Sequence, residues 1–381
     1  MRALVQLTAL TLAAGLGFHS TVASNHATSD TKHRQDEAFR EYKIALAERL
    51  STDSQPRRRM AAAILIKVEA QLAAASRANP GIYNFKSARF PASLDPDELV
   101  GSALMQAPDD PLLLWIAATN CPASASVCAP ERSLDHLREL QPDNAMVWLQ
   151  GSPIEHPGER NAETTTTTAN DAVDEDTRLR NIARASRVDG FHWEVRRLLL
   201  DAFLQRPLPD ELLEAGDFAT PTQEKMAVIA AIGYEMAFVT PHYGLATKLC
   251  GGDAIDDYGD LRRELCIAAL GNIAKRADTM MAEQLALSRL LPLLPESEER
   301  DAIEAKQRQS RWQQLAYTEL LIPSSGTSNE MDAEAERHIA QLQENGTTEL
   351  ATMREALTKA GISTEPPRDW ISPYDEPSSG R

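Results

Sequence analysis

Glu235 stands in the most apolar stretch of the chain, Met226–Val239, with Val228, Ala231, Ile232, Phe238 and Val239 as its neighbours on a helical face. A carboxyl group in such surroundings is what general-acid chemistry requires, because burial penalises its charged form and raises its pKa. The competing assignment is a carboxylate at a helix seam paired with an arginine, the commoner fate of an isolated buried acid. Glu235 is therefore the one catalytic candidate, and a structural role outweighs it.

Three further groupings have residue types that could carry chemistry. His192 and Trp193 open a helix, where they would line a groove or, more commonly for aromatics at helical spacing, pack as an anchor. Asp253, Asp256 and Asp257 follow Cys250-Gly251-Gly252, with His242 and Tyr243 close by in sequence. They suit a cation site or, more simply, a solvated acidic loop before a helix N-terminus. Ser29-Asp30-Thr31-Lys32 fits the S-x-x-K pattern of a lysine-activated serine, but its companion motifs are missing. The chain contains no H-E-x-x-H, no G-x-S-x-G and no phosphate-binding glycine loop. No metal site and no cofactor are expected.

The cysteines number four, in two local pairs: Cys121 with Cys128, and Cys250 with Cys266. Of the three possible connectivities the local one is favoured, giving two disulfides in an oxidising compartment. Zinc is the alternative, but neither pair has C-x-x-C spacing. The N-terminus points to the same compartment. Arg2 precedes an apolar run from Ala3 to Leu16, and Thr21-Val22-Ala23 offers small residues for cleavage between Ala23 and Ser24. This is the layout of a secretory signal peptide, too short to make a good spanning helix. No cysteine follows it to carry a lipid. A periplasmic or secreted protein is expected, with no membrane span after cleavage.

The elements that must position these residues are helices. Alanine and leucine dominate the apolar content, aromatics are 5%, and no segment alternates with the period of a strand. Residues 24–151 form an N-terminal helical region, with an amphipathic helix around Phe39, Tyr42, Leu46 and Leu50 and an alanine-rich one through Ile64, Leu65, Val68 and Leu72. Residues 152–176 hold Pro153, Pro157 and five consecutive threonines, and read as a flexible linker. Residues 177–362 are a second helical region, an array or bundle. Residues 363–381 form a Pro- and Ser-rich tail expected to be disordered.

A repeat emerges within the first region. Pro108 opens P-D-D-P-L-L-L-W, and Pro142, 34 residues on, opens P-D-N-A-M-V-W-L. With Pro111 as a first position, Leu114 stands at the tryptophan position, Ala117 and Ala118 at the leucine and glycine positions, Leu134 and Leu137 on the second helix, and Pro142 at the close. Trp148 falls on the tryptophan position of the following unit. Residues 95–149 thus resemble tetratricopeptide-like helical repeats. Pro153 and Pro157 break the pattern, and Pro130 departs from it. As a whole the chain is similar to exported helical proteins of the Xanthomonas and Lysobacter kind.

The expected fold is all-α, built of antiparallel helical hairpins, tetratricopeptide-like in the N-terminal half. The resemblance implies a surface that binds a protein or peptide of the bacterial envelope. An all-helical envelope hydrolase using Glu235 is the alternative. The net charge of −17 disfavours nucleic acid as a partner.

Overall fold

The computed structural model describes residues 29–78, 87–122, 126–150, 169–213, 222–238, 243–321, 336, 340 and 348–373. The signal segment with Ala23 and Ser24, and the threonine run Thr164–Thr168, lie outside them. Among the described residues the regular structure is fifteen α-helices and one 3-10 turn, with no strand. The protein is all-α. None of these helices is long and apolar enough to cross a membrane.

The chain forms two compact units that interleave in sequence, where a single break at 152–176 was expected. Unit 1 comprises residues 1–136, 191–240 and 325–345, and unit 2 comprises 137–190, 241–324 and 346–381. Helical hairpins distant in sequence share one core, which a linear reading of linkers does not reveal.

Unit 1 holds α1 (Ser29–Ser51), α2 (Pro56–Ala78), α3 (Pro96–Gln106), α4 (Pro111–Asn120), α8 (His192–Phe203), α9 (Asp210–Leu213) and α10 (Gln223–Phe238). Helix α5 (Pro130–Leu140) begins in unit 1 and ends in unit 2. The centre of unit 1 is α2, against which α1, α3, α8 and α10 all pack. Its segment from Met60 to Ile66 is buried on every side. Alanines at 61, 62 and 63 make this possible: they favour helix and let neighbouring backbones approach closely. On α1, Tyr42, Leu46 and Leu50 supply the apolar stripe facing it.

The two Pro-Asp turns are local devices with tertiary partners. Asp110 caps α4 through the Leu112 amide, and its carboxylate takes Arg57 of α2 at 2.7 Å. Asp95 caps α3 by accepting from the amides of Asp97 and Glu98, with Pro96 at the first helical position. Beside it Gly101 has no room for a side chain: a Cβ there would lie 2.9 Å from the Val127 carbonyl oxygen.

Unit 2 holds α6 (Ala145–Leu149), α7 (Ala169–Arg184), α11 (Gly244–Leu249), α12 (Gly252–Arg276), α13 (Met280–Leu290), α14 (Glu298–Leu321) and α15 (Glu349–Lys359). Its spine is the packing of α7 on α12, α12 on α13, α13 on α14 and α14 on α15. The second Pro-Asp turn is clasped here. Asn144 caps α6, and its side chain exchanges hydrogen bonds of 3.0 Å with the backbone of Asp189. Residues 169–176, expected within a flexible linker, form the first turns of α7. Likewise 363–373, expected in a disordered tail, lie along α14: the Trp312 indole donates to the Ser363 carbonyl and Gln313 to that of Thr364. Leu134 and Leu137 point inward, but Leu140 is exposed.

Candidate functional site

Glu235 lies on α10 with its carboxylate buried, and α8 supplies both of its partners. His192 Nδ1 stands 2.5 Å from Oε1, and Arg196 Nη2 stands 2.7 Å from Oε2. His192 and Arg196 are four residues apart, so one face of α8 presents both side chains to α10. The Arg196 guanidinium also sits over the Trp193 ring, 4.8 Å from its centroid. Trp193 packs with Met226, Val228 and Leu200 as an aromatic anchor.

This geometry reverses the pKa expected from the sequence. Burial alone would raise the Glu235 pKa, but the Arg196 charge and the His192 hydrogen bond outweigh it and lower the value. The carboxylate is held ionised, with both oxygens engaged. A general acid requires the opposite shift and an approachable oxygen. Of the two sequence readings, the ion-paired carboxylate at a helix seam describes this arrangement.

A second buried carboxylate escaped the sequence reading. Glu69 sits on α2 with Lys43 of α1 2.7 Å from its Oε1, and both side chains are buried. The Tyr234 hydroxyl donates to the same oxygen, and the Ala88 amide donates to Oε2 at 2.6 Å. Burial lowers the Lys43 pKa, with Glu69 opposing that shift. Burial together with the Glu69 charge pushes Tyr234 well above the usual phenol range. The signal for Glu69 was weaker than for Glu235, because Lys67 two residues before it and Gln71 two after it break the apolar run.

Glu69 also lines a groove of about 550 Å³ between α2 and residues 87–94. Ile66, Ala70, Ala73, Phe90, Pro91 and Leu94 give it an apolar lining, and Arg77 and Arg89 stand on it as exposed side chains. The size falls within the range of ligand pockets.

Both cysteine pairs are joined locally. Cys121–Cys128 and Cys250–Cys266 stand at disulfide distance, with Cα atoms 6.2 and 5.6 Å apart. Asp97, Cys121 and Cys128 bring ligand atoms within 4.8 Å of one another. The sulfurs are spent on each other, however, and Lys67 lies 2.7 Å from the Asp97 carboxylate, so these residues do not fit a metal ion. The side chains of Asp253, Asp256 and Asp257, those of Ser29 and Lys32, and the whole of His242 lie outside the described residues.

Unit 2 carries its own buried charges. Arg262 meets Glu175 at 3.2 Å and Asp176 at 2.8 Å, and Glu283 takes Arg354 at 3.2 Å and Lys306 at 3.4 Å.

No protein-family model matches the chain, and neither does any curated protein or any solved structure. The class is therefore drawn from the fold and the residues: an all-α protein of helical hairpins, with buried carboxylates held in ion pairs and a groove of mixed apolar and basic lining in unit 1.

Proposed function

We propose that the chain is an exported, non-enzymatic helical-repeat protein that mediates protein or peptide interaction in the bacterial envelope. The observation that carries this reading is the groove beside α2, lined in about equal measure by apolar and polar surface, with two exposed arginines on it. Stacked helical hairpins act by presenting such concave surfaces. The two disulfides fit export to an oxidising periplasm or beyond, and the tetratricopeptide-like spacing of residues 95–149 fits a binding role. Against an envelope hydrolase using Glu235 stands the state of that carboxylate, ionised and enclosed by His192 and Arg196.

The test is partner capture by the full chain expressed in its own envelope. Crosslinking with mass spectrometry should recover a partner that, once purified, rebinds saturably. No saturable partner in repeated captures would sink the reading. A hydrolytic activity on envelope material, lost in Glu235→Gln at unchanged thermal stability, would replace it with the hydrolase.

A further inference from the structure

We infer that the groove of unit 1 takes an acidic peptide segment, its carboxylates on Arg77 and Arg89 and its apolar side chains against Ile66, Ala73 and Phe90. This rests on the binding reading above and names the partner's chemistry.

Charge is the first argument. The chain has 56 acidic and 39 basic residues, so a carboxylate is readily at hand for an arginine. Three arginines of unit 1 take one: Arg57 pairs with Asp110, Arg58 with Asp201 and Arg196 with Glu235. Neither Arg77 nor Arg89 makes an ion pair among the described residues. Both are exposed on the same groove. Of the lining residues only Glu69 is acidic, and its charge is answered at 2.7 Å by Lys43. The groove therefore presents two uncompensated guanidinium groups, which bind carboxylates through paired N–H donors.

The groove wall is the second argument. Residues 87–90 belong to no helix or strand. The Ala88 amide is committed to Glu69. Arg89 and Phe90 make no backbone hydrogen bond among the described residues, and their amides and carbonyls are the groups that would pair with the peptide backbone. A lone small anion would use the arginines and leave these groups and the apolar floor unanswered. A peptide with acidic and apolar side chains satisfies all three. Ala70, Ala73 and Ala88 keep the floor low enough for a backbone to lie on it.

The experiment is fluorescence anisotropy on the full chain with a fluorescein-labelled octapeptide in which glutamate alternates with leucine or alanine. Its counterpart with glutamine in place of glutamate is the control. The glutamate peptide should bind about tenfold tighter than the glutamine one, and the advantage should fade at high salt. Arg77→Glu with Arg89→Glu should remove that tenfold preference without moving the thermal midpoint, since both side chains are exposed. Ala73→Trp should block both peptides by filling the floor. Equal binding of the two peptides, still blocked by Ala73→Trp, overturns the acidic class and leaves a peptide groove. Binding that survives Ala73→Trp, or no binding of either peptide, overturns the assignment of the groove itself. Partner capture then decides the broader reading on its own.

Discussion

Lys43 and Glu69 form an ion pair of 2.7 Å inside unit 1, with side chains 5% and 2% exposed. Removing one partner of such a pair leaves a buried charge without compensation, whereas replacing both with apolar residues does not. Glu69→Ala should lower unfolding stability by about 3–5 kcal/mol. Lys43→Met combined with Glu69→Leu should recover only part of that loss, because the Tyr234 hydroxyl and the Ala88 amide lose their acceptor, as read by urea denaturation. Additive losses in the double variant would mean that the pair is not coupled.

Glu235→Gln tests a different carboxylate through pH. The folded pKa of Glu235 is lowered below the ordinary value of 4.5 by its environment, even though burial opposes this. Its ionised form thus stabilises the fold above the unfolded value, and that contribution is lost as pH falls through the folded one. Wild type should lose stability progressively below about pH 4.5, with part of the loss attributable to this group. The glutamine variant should be less stable at neutral pH, with a shallower acid decline over that range. A variant as stable as wild type at pH 7 would contradict the buried pair.

The Cys250–Cys266 link closes a loop of 16 residues in unit 2. On the chain-entropy account, its loss by paired serine substitution should lower stability by about 3 kcal/mol. Peptide mapping of unreduced protein should recover Cys250 with Cys266 and Cys121 with Cys128. Four alkylatable thiols before reduction would refute both links.

Gly101 probes the close approach of α3 to the loop at Val127. A methyl group there would clash with Val127 Cγ1 and lie 2.9 Å from the Val127 carbonyl oxygen. Gly101→Ala should destabilise by about 1–3 kcal/mol despite alanine's better helix propensity. Adding Val127→Ala should restore only part of this, because the backbone oxygen remains. Thermal melts of the two variants against wild type settle the point.

Arg308 of α14 holds the segment after α15. Its guanidinium donates to the carbonyls of Pro367 at 2.7 Å and Trp370 at 2.6 Å, and Trp370 packs edge-on against Trp312. Arg308→Ala should shift tryptophan emission to the red and speed amide exchange over residues 363–370, with a small change in global stability. Unchanged exchange would show that the segment is held by other contacts.

Much of the architecture was legible in the residues. The helical class follows from alanine and leucine content without strand periodicity. The stripe Tyr42, Leu46 and Leu50 and the caps at Asp95 and Asp110 are local signals, each acting within a turn or two. The disulfide pairing was readable because each link closes a short loop. The order of residues 363–373 was not. Proline and serine composition predicts a loose tail, whereas hydrogen bonds from Gln309, Trp312 and Gln313, some fifty residues earlier, hold its backbone.

The sequence by itself determined the helices, their caps and the isolation of Glu235 in an apolar run, because these depend on neighbours within a few positions. Tertiary structure alone decided what that isolation means. The partners of Glu235 come from α8, those of Glu69 from α1 and α10, and the two units are assembled from interleaved segments. A carboxylate's charge state depends on what stands within a few ångströms of it in space, and spacing along the chain does not carry that information.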